Sequence, residues 1–98
     1  MKKALILSTL LAVASLNAQA ATLKEGALYC INSKKIIAYY DYLEMGQDKF
    51  AQKLMDNADC FIKGRDEGVI VRSENKNHLE LELFSGFKVW TKKENVVR

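Results

Sequence analysis

The spacing of apolar positions changes at Cys60. Between Cys30 and Cys60 the apolar residues recur every three or four positions, as they do on one face of a helix. This spacing predicts a first helix over residues 34–45, with Ser33 as its N-cap, and a second helix that begins at a cap on Asp48. The apolar stripe of the second helix comprises Phe50, Ala51, Leu54, Met55 and Ala58.

Short apolar runs outside this helical segment predict five strands. The run from His78 to Leu83 alternates strictly between polar and apolar residues, which is typical of a strand with one buried face. Five short strands at this spacing favour a small barrel, because closing a sheet removes its exposed edges. The predicted strands are residues 27–31, 60–63, 69–72, 78–83 and 87–91.

Two registers are open to the last hairpin. A two-residue loop places Leu81 opposite Trp90, whereas a three-residue loop over residues 84–86 places Leu81 opposite Val89. We prefer the three-residue loop, because its glycine suits the left-handed position and its register sets opposite charges across the strands. Trp90 then lies on the less buried face. The oppositely charged pair is Glu82 and Lys88.

The start of the chain has the pattern of a secretory signal peptide. A basic Met1–Lys3 precedes the apolar run Ala4–Ala14, and small residues at Ala18 and Ala20 suit cleavage before Ala21. The apolar run is shorter than the roughly 20 residues of a membrane-spanning helix, so we expect no span after cleavage. The sequence therefore predicts a signal peptide over 1–20 and one domain over 21–98, in the bacterial periplasm or outside the cell.

The charge balance changes once residues 1–20 are removed. The 98-residue chain carries 15 Lys and Arg against 12 Asp and Glu, a net charge of +3. Lys2 and Lys3 leave with the signal peptide, so the balance becomes 13 − 12 = +1 over 78 residues. We therefore expect no nucleic-acid partner, because such binding depends on an excess of positive charge.

Cys30 and Cys60 are the two cysteines, and in an exported chain they predict a disulfide. The bond would close a loop of 31 residues, worth about 3.7 kcal/mol on a chain-entropy estimate. A redox pair is disfavoured because such pairs usually have two-residue spacing, and a zinc site would need further ligands near His78. We predict no metal-binding and no cofactor-binding residues.

The arrangement resembles small exported bacterial proteins with an SH3-like barrel. Cys30 closes the first predicted strand, two helices follow, and Cys60 opens the second strand; residues 85–91 also look like the G-x-x-x-W ending of bacterial SH3 domains. The resemblance implies an α+β fold, a five-stranded SH3-like barrel with two short helices inserted between strands 1 and 2. Bacterial SH3 domains often bind cell-wall peptides or proteins. The helices replace the loop that holds most of that site, so no binding residue is transferred.

Three residues of the alternating strand suggest acid–base chemistry. Glu80 and Glu82 share one strand face about 6–7 Å apart, and His78 is the one histidine. This trio would suit a small hydrolase. The same alternation is expected of any half-exposed strand, with a solvated histidine at its start, and we prefer that interpretation. No catalytic residue is predicted.

The aromatic residues offer candidate partner-binding positions. Tyr42 points away from the apolar stripe of the first helix, and Trp90 is either core or interface, depending on register. We expect a non-enzymatic binding or accessory module that contacts an envelope protein or a cell-wall component. The alternative is an inhibitor or immunity protein against a secreted enzyme, which would present a loop such as 64–68 or 74–77. A hydrolase is the less favoured third interpretation.

Overall fold

The computed structural model describes residues 19–98, which form one open sheet of seven antiparallel strands with two helices. Neighbouring strands follow the order β3-β2-β6-β5-β4-β1-β7. Both helices lie between β2 and β3 in the chain, and a 3-10 turn (Lys93–Asn95) joins β6 to β7. The elements are β1 (Gln19–Leu23), β2 (Leu28–Cys30), α1 (Ser33–Glu44), α2 (Asp48–Asp56), β3 (Cys60–Ile62), β4 (Glu67–Glu74), β5 (His78–Glu82), β6 (Lys88–Lys92) and β7 (Val96–Val97).

The prediction of a five-stranded SH3-like barrel with helices between strands 1 and 2 is wrong. Sequence reasoning missed β1 and β7, and these strands extend the sheet. β1 pairs with β4 over five residues, and β7 pairs with the other edge of β1. The edge strands of the open sheet are therefore β3, with three residues, and β7, with two. Within the described residues, β7 covers only two of the five β1 residues, so the other three keep an unpaired outer edge. The helices follow the second strand rather than the first, because β1 precedes the strand that was predicted to be the first.

The preferred register of the β5–β6 hairpin is confirmed. Leu81 lies opposite Val89, as the three-residue loop requires. The backbone N–H of Gly86 donates to the carbonyl oxygen of Leu83 at 2.9 Å, which closes the loop. Gly86 has a φ of 92°, a conformation that side chains with a Cβ seldom adopt. The loop glycine therefore fixes the register, and with it the face on which each β5 residue lies.

The helix boundaries differ slightly from the predicted ones. The cap of α1 is Asn32, whose Oδ1 accepts the backbone N–H of Lys35 at 2.9 Å, and Ser33 is already helical. Asp48 is the first residue of α2, where its charge favours the helix dipole. α2 ends before Ala58, whose φ of 60° is left-handed.

Buried side chains form two clusters. The first covers one face of the sheet: Leu23, Ala27, Val69, Val71, Leu79, Leu81 and Val89. The second joins the two helices to β2 and β3: Leu28, Cys30, Ile36, Leu54 and Cys60. The predicted disulfide is confirmed, since Cys30 lies opposite Cys60 in the β2–β3 ladder and the two are bonded. The disulfide therefore ties both ends of the helical segment to the sheet.

Most of the predicted signal peptide, residues 1–18, lies outside the described residues. The predicted cleavage site after Ala20 falls within β1, so a chain that begins at Ala21 would lose the Gln19 and Ala20 pairs with β4. Neither helix of the described part is long and apolar enough to cross a membrane.

Candidate functional sites

Two phenylalanines at the end of the β5–β6 hairpin are the most exposed large apolar side chains of residues 19–98. Phe84 is 96% exposed and Phe87 is 72% exposed. Residues 84–87, the Phe tip, thus place two aromatic rings in water. Neighbouring exposed rings of this kind are typical of interaction surfaces, because covering them releases hydration water.

The backbone of the Phe tip is held from the side by Glu67. One carboxylate oxygen of Glu67 accepts the backbone N–H of Phe84 at 3.0 Å, and the other forms an ion pair with Lys63. The Lys63 ammonium and then the Phe84 N–H lower the pKa of Glu67 below its usual range. The charged Glu67 carboxylate therefore holds the backbone of the Phe tip. Because the loop is already held, less conformational entropy is lost when a partner binds it.

A cationic residue adjoins the Phe tip, because Lys88 directly follows Phe87. The nearby carboxylates of Asp66, Glu67 and Glu82 each form an ion pair, with Lys24, Lys63 and Arg72 respectively. Glu82 also lies opposite Lys88, as predicted, but its carboxylate contacts Arg72. Within the described residues neither Lys88 nor Arg65, in the β3–β4 loop, has a carboxylate in ion-pair range.

A second site is an open pocket of about 550 Å³ between α1 and the β4–β5 turn, the His78 pocket. The α1 wall carries Ile37, Tyr40, Asp41 and Glu44, which share one helix face by their spacing. The opposite wall is the turn at residues 75–77. β5 and β6 contribute His78 and Lys92, and the 3-10 turn contributes Glu94.

The ring of His78 is buried, where the sequence suggested a solvated residue. His78 is only 9% exposed, and its backbone N–H donates to Asn75. No buried side-chain nitrogen or oxygen of residues 19–98 lacks a hydrogen-bond partner, so the ring nitrogens of His78 are not left unsatisfied. Burial and the neighbouring charge of Lys92, opposite it in β6, lower the pKa of the imidazole. The lowered pKa keeps His78 neutral at neutral pH, with its ring in the lining of the pocket.

Tyr40 and Lys92 form the contact between the α1 wall and the sheet. The ammonium of Lys92 lies 3.7 Å from the centre of the Tyr40 ring, within cation–π range. Burial raises the pKa of the Tyr40 hydroxyl, against the opposing effect of its hydrogen bond with Asn95. Asn95 in turn donates to the buried hydroxyl of Thr91 at 3.0 Å. This chain of contacts anchors the pocket to the sheet.

The structure places the predicted partner-binding residues beside the second cluster. Trp90 and Tyr42 are half-buried and pack against that cluster, and the Tyr42 ring lies 5.4 Å from the Phe50 ring. Sequence reasoning missed the Phe tip. The sequence contains a signal for the Phe tip, because the first residue of the predicted loop is Phe84, at a position where polar turn residues are usual.

The residues of the hydrolase interpretation are not brought together. The Glu80 carboxylate accepts the hydroxyl of Ser73 at 3.0 Å, and the Glu82 carboxylate accepts the Nε proton of Arg72 at 2.8 Å. Neither glutamate lines the pocket that contains His78. The trio therefore lacks the convergence on one cavity that acid–base catalysis would require.

The remaining site chemistry within residues 19–98 is limited. No three His, Cys, Asp or Glu side chains there lie close enough together to hold a metal ion. No protein-family model, curated protein or solved structure matches the chain. The Phe tip and the His78 pocket are therefore judged on their own geometry.

Proposed function

We propose that this chain is a non-enzymatic binding module of the bacterial envelope, which contacts an envelope protein or a cell-wall component through the Phe tip. The observation that carries this proposal is the exposure of Phe84 and Phe87 on a loop whose backbone Glu67 holds in place. Rigid aromatic rings supply large contact area at small entropic cost, which is why they dominate binding hot spots.

The cation beside the Phe tip favours a partner with an acidic rim. Lys88, which directly follows Phe87, has no carboxylate partner in the described part, so it is available to an anionic surface. Complementary charges at a rim raise the association rate more than the final affinity. We therefore expect capture of the partner to slow as salt concentration increases.

The predicted signal peptide and the disulfide support a location in the periplasm or outside the cell. The Cys30–Cys60 bond is of the kind that persists in oxidising compartments. The net charge of +1 after removal of residues 1–20 supports no nucleic-acid role.

The second candidate function is inhibition of a secreted enzyme. A braced loop with an exposed Phe84 ring also suits insertion into an active-site cleft, although the loop differs from the predicted 64–68 and 74–77. The two functions differ in the identity of the captured protein. An inhibitor captures an enzyme and lowers its activity at stoichiometric amounts, whereas an accessory module leaves activity unchanged.

The test is crosslinking in cells with a photoreactive phenylalanine analogue in place of Phe84. We expect a specific adduct that the same analogue in place of the exposed Val97 does not give. In a second arm, the Phe84→Ser/Phe87→Ser variant should lose the partner while its stability stays within about 0.5 kcal/mol, because both rings are exposed. Equal adducts at both positions, or full binding by the double variant, would contradict the proposal.

A further inference from the structure

We propose that an open groove beside the Phe tip receives an apolar side chain of a partner protein, with an acidic residue of that protein on Lys88. This inference rests on the proposed function and deepens it, because it names a protein rather than a cell-wall glycan as the partner. The Gly68 groove has a volume of about 380 Å³. It is lined by Ala20 and Ala21 of β1, by residues 68–70 of β4 and by residues 82–84 of the hairpin. A chain that begins at Ala21 keeps all of these residues except Ala20.

A glycine on the outward face of β4 leaves the space of the groove open. Val69 is buried in the first cluster, so the alternation along β4 turns Gly68 and Ile70 to the opposite face of the sheet. A Cβ placed on Gly68 would have no heavy atom within 4 Å beyond its chain neighbours. The 96% exposed Phe84 lines the same groove. The groove therefore has room for a side chain of another molecule beside the Phe tip.

The lining of the Gly68 groove suits an apolar side chain better than a sugar. Glu82 is the one charged lining residue, and its carboxylate already accepts the Nε proton of Arg72 at 2.8 Å. The backbone of β4 is paired here on both sides, since Val69 lies opposite a β1 residue and Ile70 lies opposite Glu82. Sugar hydroxyls that leave water need new hydrogen-bond partners, whereas an apolar side chain gains free energy by leaving water.

The charge beside the groove favours a different protein over a second copy of this chain. Lys88 lies opposite Glu82 in the β5–β6 ladder and is exposed. Within residues 19–98 no carboxylate is in ion-pair range of Lys88, because Glu82 is paired with Arg72. Two copies that joined through this surface would each present the same unpaired cation. A partner with an acidic residue next to its apolar side chain supplies the complementary charge.

The experiment is photocrosslinking in cells with a photoreactive phenylalanine analogue in place of Phe87. This residue belongs to the Phe tip but does not line the groove. The analogue is placed in the unmodified chain, in Gly68→Val and in Gly64→Val. Gly64, between β3 and β4, is the matched control, because neither glycine has a left-handed φ and a Cβ on either meets open space. Both variants should therefore fold, which circular dichroism checks.

We expect a protein adduct of equal yield in the unmodified chain and in Gly64→Val. Gly68→Val should lower that yield at least about tenfold, because the valine side chain occupies the space of the partner's side chain. Gly68→Ala, which adds one methyl group, should give an intermediate yield. Lys88→Met should also lower the yield, whereas Lys49→Met, at an exposed position of α2, should leave it unchanged.

The outcomes separate this inference from the proposed function. An adduct whose yield is the same in Gly68→Val and Gly64→Val overturns the groove as a docking site but leaves the Phe tip as the contact surface. An adduct of twice the mass of the chain, or one that a muramidase releases from the cell wall, overturns the choice of a different protein. The absence of any adduct in the unmodified chain overturns both this inference and the proposed function.

Discussion

At the scale of single residues, the ionisation of His78 couples the pocket to the stability of the fold. In the unfolded chain the imidazole titrates near its usual pKa of about 6.5. In the folded chain burial and the charge of Lys92 lower that pKa. As the pH falls through 6.5, the unfolded chain therefore takes up a proton before the folded chain does, and folding loses free energy.

We accordingly expect the free energy of unfolding to be highest above about pH 6.5 and to decrease as the pH falls from there to the lowered pKa of His78. The slope for one proton cannot exceed about 1.4 kcal/mol per pH unit. Glu67, whose pKa is also lowered, loses its contribution only in more acidic solution, below its usual value of 4.5. Urea unfolding of the protein at pH values from neutral to mildly acidic measures this dependence.

The matched variant for this measurement is His78→Gln, which keeps a hydrogen-bonding side chain that does not titrate. Its stability should be nearly independent of pH over the same interval. The groups that face His78 from the other elements are Lys92, Lys76, Asp41, Glu44 and Glu94, and all of them are retained in the variant. An undiminished pH dependence in His78→Gln would contradict the assignment of the effect to His78.

At the scale of elements, sequence patterns predict those features of the fold that depend on residues close together in the chain. The β5–β6 register follows from the alternation around Leu81 and from one loop glycine, all within a few residues of the loop. β1 gives almost no such signal, because Leu23 is its one fully buried side chain and its partner β4 lies more than forty residues away. β7 is a single pair of valines.

The candidate sites show the same limit of sequence reasoning. The environment of His78 depends on α1, β6 and the 3-10 turn meeting the start of β5 at one pocket, an arrangement of elements that no local pattern contains. The charged walls of the pocket likewise come from a helix and a turn more than thirty residues apart. Phe84, by contrast, could be identified from the sequence, since it is the first residue of the predicted loop.

The brace on the hairpin loop yields a prediction for Glu67. Replacing it with alanine removes both the acceptor for the Phe84 N–H and the partner of Lys63. We expect Glu67→Ala to destabilise the fold by about 1–3 kcal/mol and to speed hydrogen exchange at the Phe84 amide. Thermal unfolding and amide exchange followed by NMR measure the two effects.

Glu67→Gln separates the two roles of this side chain, because its amide oxygen can still accept the Phe84 N–H while the ion pair is lost. Its amide exchange at Phe84 should therefore stay closer to that of the unmodified protein. Glu25→Ala, at an exposed position in the β1–β2 turn, is the control for loss of a surface charge. Unchanged Phe84 exchange in Glu67→Ala would show that the loop is held by its own backbone alone.

At the scale of the whole molecule, the two buried clusters divide the fold into unequal parts. The first cluster lies on the sheet and contains no cysteine, whereas the second, which attaches both helices, contains Cys30 and Cys60. The β4–β5–β6 ladders are long and independent of the disulfide. The helical segment, in contrast, is joined to the sheet by the short β2 and β3 with their bond and by the contact of Tyr40 with Lys92.

We therefore expect reduction of the disulfide to loosen the helices before the sheet. The bond closes a loop of 31 residues, counted inclusively from a sequence separation of 30, and its loss should cost about 3.7 kcal/mol. Hydrogen exchange followed by mass spectrometry, before and after reduction and alkylation, should show α1 and α2 losing protection while β4, β5 and β6 retain it. A Cys30→Ala/Cys60→Ala chain serves as a control that carries no alkyl groups in the second cluster. Uniform loss of protection would contradict a division of the molecule along its two clusters, because it would mean that the sheet and the helices unfold as one cooperative unit.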